Sequence, residues 1–205
     1  MTITSGAVSV TVMQEPPKLE FVTWRQFHKL CYGLAGELEK SEAKFETIVS
    51  ISRGGHVISR ILSDLLALPI FNVSIQSYEA LQQKELRLNQ KLGQYLEGQQ
   101  VLLVDEIVDT GRSLKRALAY LKKLKCASIT SCCMHVKPKT ILYPDFYVAE
   151  TRAWIVYPYE IRESVAALLP IWRELKLPEK QLVELLVKGG MDLTMVERFV
   201  GANGQ

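Results

Sequence analysis

Short apolar runs alternate with helical stripes of apolar residues along the middle of this chain. Four runs predict strands: TIVSIS at 47–52, PIFNVSI at 69–75, VLLVD at 101–105 and SITSCCMHV at 128–136. Between the runs, apolar residues recur at helical spacing, and one such stripe comprises Val57, Ile58, Ile61, Leu62, Leu65 and Leu66. Strands that alternate with helices predict an α/β fold with a mainly parallel central sheet flanked by helices.

The amino-terminal part differs in composition from the middle of the chain. Residues 1–22 are rich in Thr, Ser and Val and close on the sequence EPPKLEFV, which indicates a flexible arm or an edge strand. Thr23 and Gln26 then form a capping box, and apolar residues follow at helical spacing. We therefore expect an arm over 1–22 and a helix from Thr23 to about Lys40.

The carboxyl-terminal part is helical in pattern. Residues 163–205 contain the stretches ESVAALLPIWREL and PEKQLVELLVK, a GG stop, and TMVERFV. A second capping box, Thr194 with Glu197, predicts the start of the last helix. These patterns predict a main domain over 23–162 and a helical appendix over 163–205.

One long connection separates two confident strands. Residues 76–100 are polar and rich in Gln and Lys. A connection of this length in a compact domain is typically functional, so we expect a mobile lid. A solvated helix or a hairpin fits the same composition nearly as well.

Composition limits the classes of partner. The 205 residues are 48% hydrophobic and 23% charged, with a formal net charge of +3, which is typical of a globular protein without a nucleic-acid-binding stripe. The basic run Lys122, Lys123 and Lys125 fits a solvated helix face. Four cysteines without CxxC spacing predict buried, reduced thiols. No signal-peptide pattern and no membrane-length apolar run is present, so we expect a cytoplasmic protein with no membrane partner.

The stretch VLLVDEIVDTGRS at 101–113 carries the candidate chemistry. Three carboxylates, Asp105, Glu106 and Asp109, follow a buried strand, where they are costly unless cations or hydroxyls face them. The residues after Asp109 predict a phosphate site at a helix start, because Gly111 permits close approach. A capped helix explains the same pattern equally well. A second glycine turn, SRGG at 52–55, is predicted at the same sheet edge and favours the phosphate site.

This stretch resembles the signature of the type I phosphoribosyltransferases, which bind 5-phosphoribosyl 1-pyrophosphate (PRPP). The sequence ISRGGHV resembles the pyrophosphate loop of the 6-oxopurine members, especially the xanthine-guanine enzymes, and QSY followed by KELR resembles their mobile catalytic loop. HVKP and AWIVYPYE resemble their base-binding segments. The resemblance covers about Ile48 to Glu160 and implies the type I phosphoribosyltransferase fold with a small hood, or base-binding, segment. One departure is Glu106, where many members have a second Asp.

The resemblance implies a role for each matching position. Asp105 and Glu106 would hold the ribose hydroxyls and help to place Mg²⁺, and Asp109 would be the catalytic group near N7 of the purine. The 5-phosphate would be held by Asp109, Thr110, Gly111, Arg112 and Ser113. The pyrophosphate would be held by Ser52, Arg53, Gly54 and Gly55, in a loop that often contains a non-proline cis peptide in this family. Ser77 and Tyr78 would belong to the lid.

The implied base site is chemically consistent. Lys137 is a donor-only cation, so it favours a purine with an oxygen at C6 over one with an amino group. Trp154 offers a stacking face, and the backbone of Ile155 could pair with the group at C2. Taken alone, Trp154 fits a core aromatic and Lys137 a solvated lysine. Their position after the signature favours base binding.

The implied activity is Mg²⁺-dependent transfer of phosphoribosyl from PRPP to xanthine, guanine or hypoxanthine, in purine salvage, by a homo-oligomer (dimer or tetramer). No nucleic-acid partner is expected. One alternative is a regulator with the same fold that binds PRPP or a nucleotide without turnover and uses its appendix to contact a partner or nucleic acid. Another is a transferase for adenine or a pyrimidine, which Lys137 disfavours.

Overall fold

The computed structural model describes residues 15–80, 83–90 and 96–202. For residues 76–80 and 83–90 it describes the backbone alone. In chain order the elements are β1 (Leu19–Phe21), α1 (Trp24–Lys40), β2 (Thr47–Ser52), α2 (Gly55–Leu66), β3 (Ile70–Ala80), β4 (Gln83–Gln90), β5 (Gln100–Val108), α3 (Arg112–Lys123), β6 (Ser128–Val136), β7 (Phe146–Glu150), β8 (Trp154–Val156), α4 (Ile161–Glu174), α5 (Glu179–Lys188) and α6 (Leu193–Ala202).

The chain divides into two compact units. The sheet unit is Arg25–Arg152, and the helical unit combines described residues 15–24 with 153–202. The boundaries of 1–22, 23–162 and 163–205 drawn from the sequence differ from this division and stay predictions. Within the part of the chain that the structure describes, no helix is long and apolar enough to cross a membrane.

The sheet unit contains a six-stranded sheet in the order β4-β3-β2-β5-β6-β7. All neighbouring strands are parallel except β3 and β4. The predicted α/β class with a mainly parallel sheet is therefore confirmed. After β2 the chain moves to β3 on one side, and from β5 it moves to β6 and β7 on the other. The strand order thus reverses between β2 and β5, and ligands of open α/β sheets bind outside the carboxyl ends of strands at such a switch point.

Both faces of the central strands are covered. Val49 and Leu103 pack in one apolar cluster with Leu114 and Leu121 of α3. Because successive side chains of a strand point to opposite faces, Ile48 and its even-numbered neighbours face the other side, where α2 packs on β2 and β5. Double coverage explains why these strands are nearly continuous apolar runs.

Two predictions about the sheet are refined. β5 continues to Val108 instead of ending at Asp105, because Ile107 and Val108 pair with the end of β6. The polar segment at 76–100 contains the β3–β4 hairpin, one of the two alternatives to a lid. Ser77 and Tyr78 lie in β3, and their side chains fall outside the described part of the chain.

The helical unit joins both ends of the described chain. β1 pairs in parallel with β8, so residues Leu19–Phe21 of the predicted arm form a strand, while residues 1–14 of that arm lie outside the described part of the chain. The helices α4, α5 and α6 pack around Trp172, Leu182 and Val196. Phe21 lies so close to Gly189 that a side chain at position 189 would overlap its ring.

The capping box predicted at Thr194 and Glu197 is wrong. Helix α6 begins one residue earlier, at Leu193. The Asp192 side chain supplies the acceptor, because its Oδ1 accepts a hydrogen bond of 2.9 Å from the Met195 amide. Aspartate is as good a capping residue as threonine, and here it stands at the correct offset from the helix start.

The four cysteines are free thiols. Cys31, Cys132 and Cys133 are buried, as expected, whereas Cys126 is half-buried, so the prediction was wrong at that position. Burial raises the pKa of Cys31 to about 12 and also raises the pKa of Cys132 and Cys133. These thiols are therefore protonated packing groups rather than nucleophiles.

Candidate active site

The turn at 52–55 joins β2 to α2 at the carboxyl end of β2. Its Ser52–Arg53 peptide bond is cis, in agreement with the family resemblance. Gly54 stands at the N-cap of α2, and no side chain in the described part of the molecule caps it. Backbone N–H groups at a helix start attract anions, because they carry the positive end of the helix dipole. The turn therefore has the donors that a pyrophosphate-binding role requires.

Two glycines allow this turn to lie directly against the end of β5. A Cβ atom at Gly54 would lie 2.7 Å from Cδ of Glu106. A Cβ atom at Gly55 would lie 2.6 Å from the carbonyl oxygen of Val104 and 2.9 Å from Oγ of Ser50. Any side chain at either position would displace these groups, so the close approach depends on glycine.

The acidic end of β5 places two carboxyl groups side by side. Asp105 is half-buried and Glu106 is buried. Burial and the neighbouring charge of Glu106 raise the pKa of Asp105 well above its ordinary value. The Glu106 amide offsets part of this by donating a hydrogen bond of 2.9 Å to Oδ1 of Asp105. Such a pair is relieved when hydroxyl donors or a cation face it.

The loop after β5 leads into α3 through a left-handed glycine. Gly111 has φ of 77°, is buried, and forms the N-cap of α3 without any capping side chain among the described residues. Thr110 and Arg112 are exposed, and Ser113 is partly buried in the first turn. The loop therefore presents backbone donors, hydroxyls and a guanidinium at a helix start, a combination suited to a phosphate group.

The turn after β6 is fastened to this phosphate loop. The Lys137 amide donates to the carbonyl of Val108 at 2.9 Å, and the Ile141 amide donates to the carbonyl of Thr110 at 3.2 Å. A Cβ atom at Gly111 would lie 3.0 Å from the Leu142 nitrogen, so glycine is needed for this contact as well. The predicted base-binding Lys137 thus belongs to the same backbone network as the predicted phosphate loop.

An ion pair crosses between the two loops. Nζ of Lys139 lies 3.2 Å from Oδ1 of Asp109. Sequence analysis missed Lys139, although it stands two positions after Lys137 in the VKPK segment. Its link to Asp109 depends on which strands are neighbours, and only the fold supplies that information.

Trp154 and Ile155 lie on β8 of the helical unit. Trp154 is 38% exposed, whereas Ile155 is buried. Tyr157 and Tyr159 stack at a ring-centroid distance of 5.5 Å just beyond this strand. Within the sheet unit the structure brings together the turn at 52–55, the end of β5 with the loop that follows it, and the turn after β6. Trp154 and Ile155 belong to the helical unit.

The acidic strand end is compatible with a magnesium ion. Carboxylate oxygen is the ligand type that Mg²⁺ prefers, and a cation would relieve the raised pKa of Asp105. Among the described residues, no cluster of three or more His, Cys, Asp or Glu side chains could enclose a metal ion. Asp105 and Glu106 would therefore share the ion with substrate oxygens, which is the usual arrangement for Mg²⁺.

Comparisons with known proteins show the family of this chain. The profile of the family described as phosphoribosyl transferase domain matches residues 19–163. A xanthine-guanine phosphoribosyltransferase of Idiomarina loihiensis is 28% identical over 145 residues, which cover 69% of this chain and 86% of the relative.

Solved structures share the fold. The purine phosphoribosyltransferase of Pyrococcus horikoshii has a TM-score of 0.64 and 28% identity, covering 69% of this chain and 93% of that one. A xanthine-guanine-hypoxanthine phosphoribosyltransferase of Helicobacter pylori has a TM-score of 0.63 at 22% identity, covering 73% of this chain and 98% of the other. The family match ends at residue 163, near the start of α4.

Proposed function

Because this chain belongs to the phosphoribosyl transferase family, we propose that it transfers the 5-phosphoribosyl group of PRPP to a 6-oxopurine: xanthine, guanine or hypoxanthine. The products are the nucleoside monophosphate and pyrophosphate, as in purine salvage. One observation carries the proposal: the glycine turn at 52–55 and the acidic end of β5 meet at the switch point between β2 and β5, with Glu106 against Gly54.

PRPP would span this switch point. Its pyrophosphate faces Ser52, Arg53, Gly54 and Gly55, and its 5-phosphate faces Thr110, Gly111, Arg112 and Ser113. The ribose hydroxyls between them donate to Asp105 and Glu106. These hydroxyls explain why two adjacent carboxyl groups are retained at a half-buried strand end where the pKa of Asp105 is raised.

The purine would bind beside the phosphate loop. Lys137 donates to O6, and its fixed backbone position next to Val108 supports the direction of that bond. The exposed face of Trp154 stacks on the base, and the backbone at Ile155 pairs with the group at C2. A donor at O6 selects 6-oxopurines, because adenine presents an amino group there.

The chemistry requires little covalent participation by the protein. The C1′–oxygen bond to pyrophosphate breaks, the bond from N9 of the purine to C1′ forms, and Asp109 takes the proton from N7. Positioned donors stabilise the charge that leaves with pyrophosphate. When bound, Mg²⁺ neutralises phosphate and pyrophosphate oxygens. Ser77 and Tyr78 belong to a segment that closes over PRPP and excludes water.

The direct experiment measures pyrophosphate release from PRPP and Mg²⁺ with each of xanthine, guanine, hypoxanthine, adenine and uracil. We expect release with one or more 6-oxopurines and none with the other two bases. Release with adenine or uracil alone would transfer the proposal to another base. PRPP binding by calorimetry without release from any base would contradict the enzyme and favour a regulator.

We extend the proposal to the state of the protein in the cell. The four free thiols and the absence of any disulfide among the cysteines fit the reducing cytoplasm. We expect a homo-oligomer, either a dimer or a tetramer, which sedimentation equilibrium would measure.

A further inference from the structure

The Asp109–Lys139 ion pair joins residues that are far apart in the chain. Asp109 follows β5 and Lys139 follows the neighbouring strand β6. Nζ of Lys139 lies 3.2 Å from Oδ1 of Asp109, and the two side chains are 68% and 53% exposed. An ion pair this exposed adds little to folding stability. Its significance therefore lies in what it does to the orientation of Asp109.

The backbone holds both partners in place. The hydrogen bond from Lys137 to Val108 lies on one side of the pair, and the bond from Ile141 to Thr110 lies on the other. Each charged residue therefore lies between two residues of its own loop that are held by backbone hydrogen bonds. With the backbone held on both sides, forming the pair orders the two side chains only and costs no further backbone entropy.

A catalytic carboxylate needs such a restraint. An exposed aspartate samples several rotamers, whereas a catalytic group has to be held within about 0.5 Å of its working position. The hydrogen bonds of the described residues include none that Asp109 accepts from a side chain of its own loop, and Lys139 supplies the contact from outside it. The pair engages Oδ1, so the second carboxylate oxygen, Oδ2, would be the one to accept the purine proton.

The charge of Lys139 would also reduce the repulsion between Asp109 and a bound 5-phosphate. Asp109 adjoins the loop at 110–113 that would hold the 5-phosphate, and a carboxylate next to a phosphate is repelled by it. A cation on the far side of the carboxylate offsets that repulsion. This effect exists only while Asp109 is charged, so it vanishes when Asp109 is made neutral.

We propose that Lys139 is a positioning residue that orients Asp109 toward N7 of the purine from the same turn that carries Lys137. The inference rests on the proposed function and deepens it, because it makes one turn responsible for both contacts on the base edge. In this proposal Lys139 acts on the base only through Asp109.

The test compares Lys139→Gln, Lys139→Arg, Asp109→Asn and the double variant Asp109→Asn/Lys139→Gln. Lys40→Gln is the matched control, since Lys40 forms an exposed ion pair of 2.9 Å with Glu37 and lies before the amino end of β2. We expect Lys139→Gln to lower kcat roughly 3- to 5-fold, the scale of an exposed ion pair, with KM for PRPP nearly unchanged. Lys139→Arg should restore most of the loss, and added salt should reduce the difference between Gln and wild type.

The double variant decides the mechanism. In the Asp109→Asn background, loss of the lysine should have no further effect on turnover. Full activity of Lys139→Gln, or an equal loss with and without Asp109, would overturn the positioning role while leaving the transferase intact. Absence of turnover in the unsubstituted protein would instead overturn the proposed function, and this inference with it.

Discussion

Gly54 and Glu106 are in contact across the switch point: a Cβ atom at position 54 would lie 2.7 Å from Cδ of the Glu106 side chain. Gly54 belongs to the turn after β2 and Glu106 to the end of β5, and their predicted ligands differ: pyrophosphate for the first and the ribose for the second. The absence of a side chain at position 54 is therefore what allows the turn to lie against Glu106, and in the proposed site it would let both sets of residues reach a single PRPP molecule.

Gly54→Ala should displace the Glu106 carboxyl group and disturb the helix start of α2. We expect kcat/KM for PRPP to fall at least about tenfold, because misplaced groups lose the benefit of fixed orientation. The matched control is Gly36→Ala, since a Cβ at this α1 position would meet nothing within 4 Å. The control should keep full activity and gain up to about 1 kcal/mol of stability from helix propensity. Equal activity of the two variants would contradict the convergence.

Asp109→Asn should remove the proton acceptor but keep the size of the side chain. Turnover should fall roughly 10²-fold or more, the scale of general acid–base catalysis. PRPP binding, measured by calorimetry, should survive because the backbone donors of the phosphate loop remain. Asp64→Asn is a suitable control, as Asp64 is exposed and pairs only loosely with Arg60 at 3.6 Å. Unchanged turnover would show that Asp109 has another role.

Lys137→Ala should separate recognition of the base from recognition of PRPP. Without the cation at O6, the specificity constant for 6-oxopurines should fall roughly 10-fold or more, while binding of PRPP changes far less. Initial rates at varied base and at varied PRPP measure the two effects independently. An equal loss for both substrates would indicate that Lys137 mainly supports the turn after β6.

Asp105→Asn should raise the folding stability of the protein while lowering its transferase activity. Because burial raises the pKa of Asp105, the folded state binds this proton more tightly than the unfolded chain, whose Asp has a pKa of about 3.9. The stability that protonation contributes is thus full below about pH 3.9 and is lost as the pH rises through the raised pKa. At neutral pH the asparagine variant should therefore unfold at a higher urea concentration than the wild type.

Urea titrations of the two proteins at different pH values would test the sign of this stability difference. The stability difference between Asp105→Asn and wild type should grow as the pH rises from about 4 to about 8. Asp64→Asn, on the exposed face of α2, should show no such trend. A wild type that is more stable than Asp105→Asn at neutral pH would mean that the carboxylate is favourably paired in the folded state.

The sequence allowed prediction of the fold class because its apolar runs and helical stripes are local signals. It also allowed prediction that both glycine turns lie at one sheet edge, since parallel strands place their carboxyl ends together. The end of β5 was harder to predict. Asp105 and Glu106 look like the start of a loop, yet Ile107 continues the strand through its pairing with His135 of β6.

Contacts between residues far apart in the chain could not be predicted from local sequence patterns. The pairing of β3 with β4 has a weak period-two signal in KELRL, but the antiparallel register depends on the hairpin as a whole. The Asp109–Lys139 pair joins residues thirty positions apart and required the knowledge that β5 and β6 are neighbours. The contact of Phe21 with Gly189 is of the same kind.

The two units differ in continuity along the chain, and this has a consequence for protein synthesis. The sheet unit is one uninterrupted stretch, so all of its strands are translated before the last three helices. The helical unit is assembled from both ends of the chain, and β1 has to wait for β8 and α5 before it gains its partners. The predicted phosphate loops of the sheet unit can therefore form on a nascent chain before β8, the strand that carries Trp154, pairs with β1.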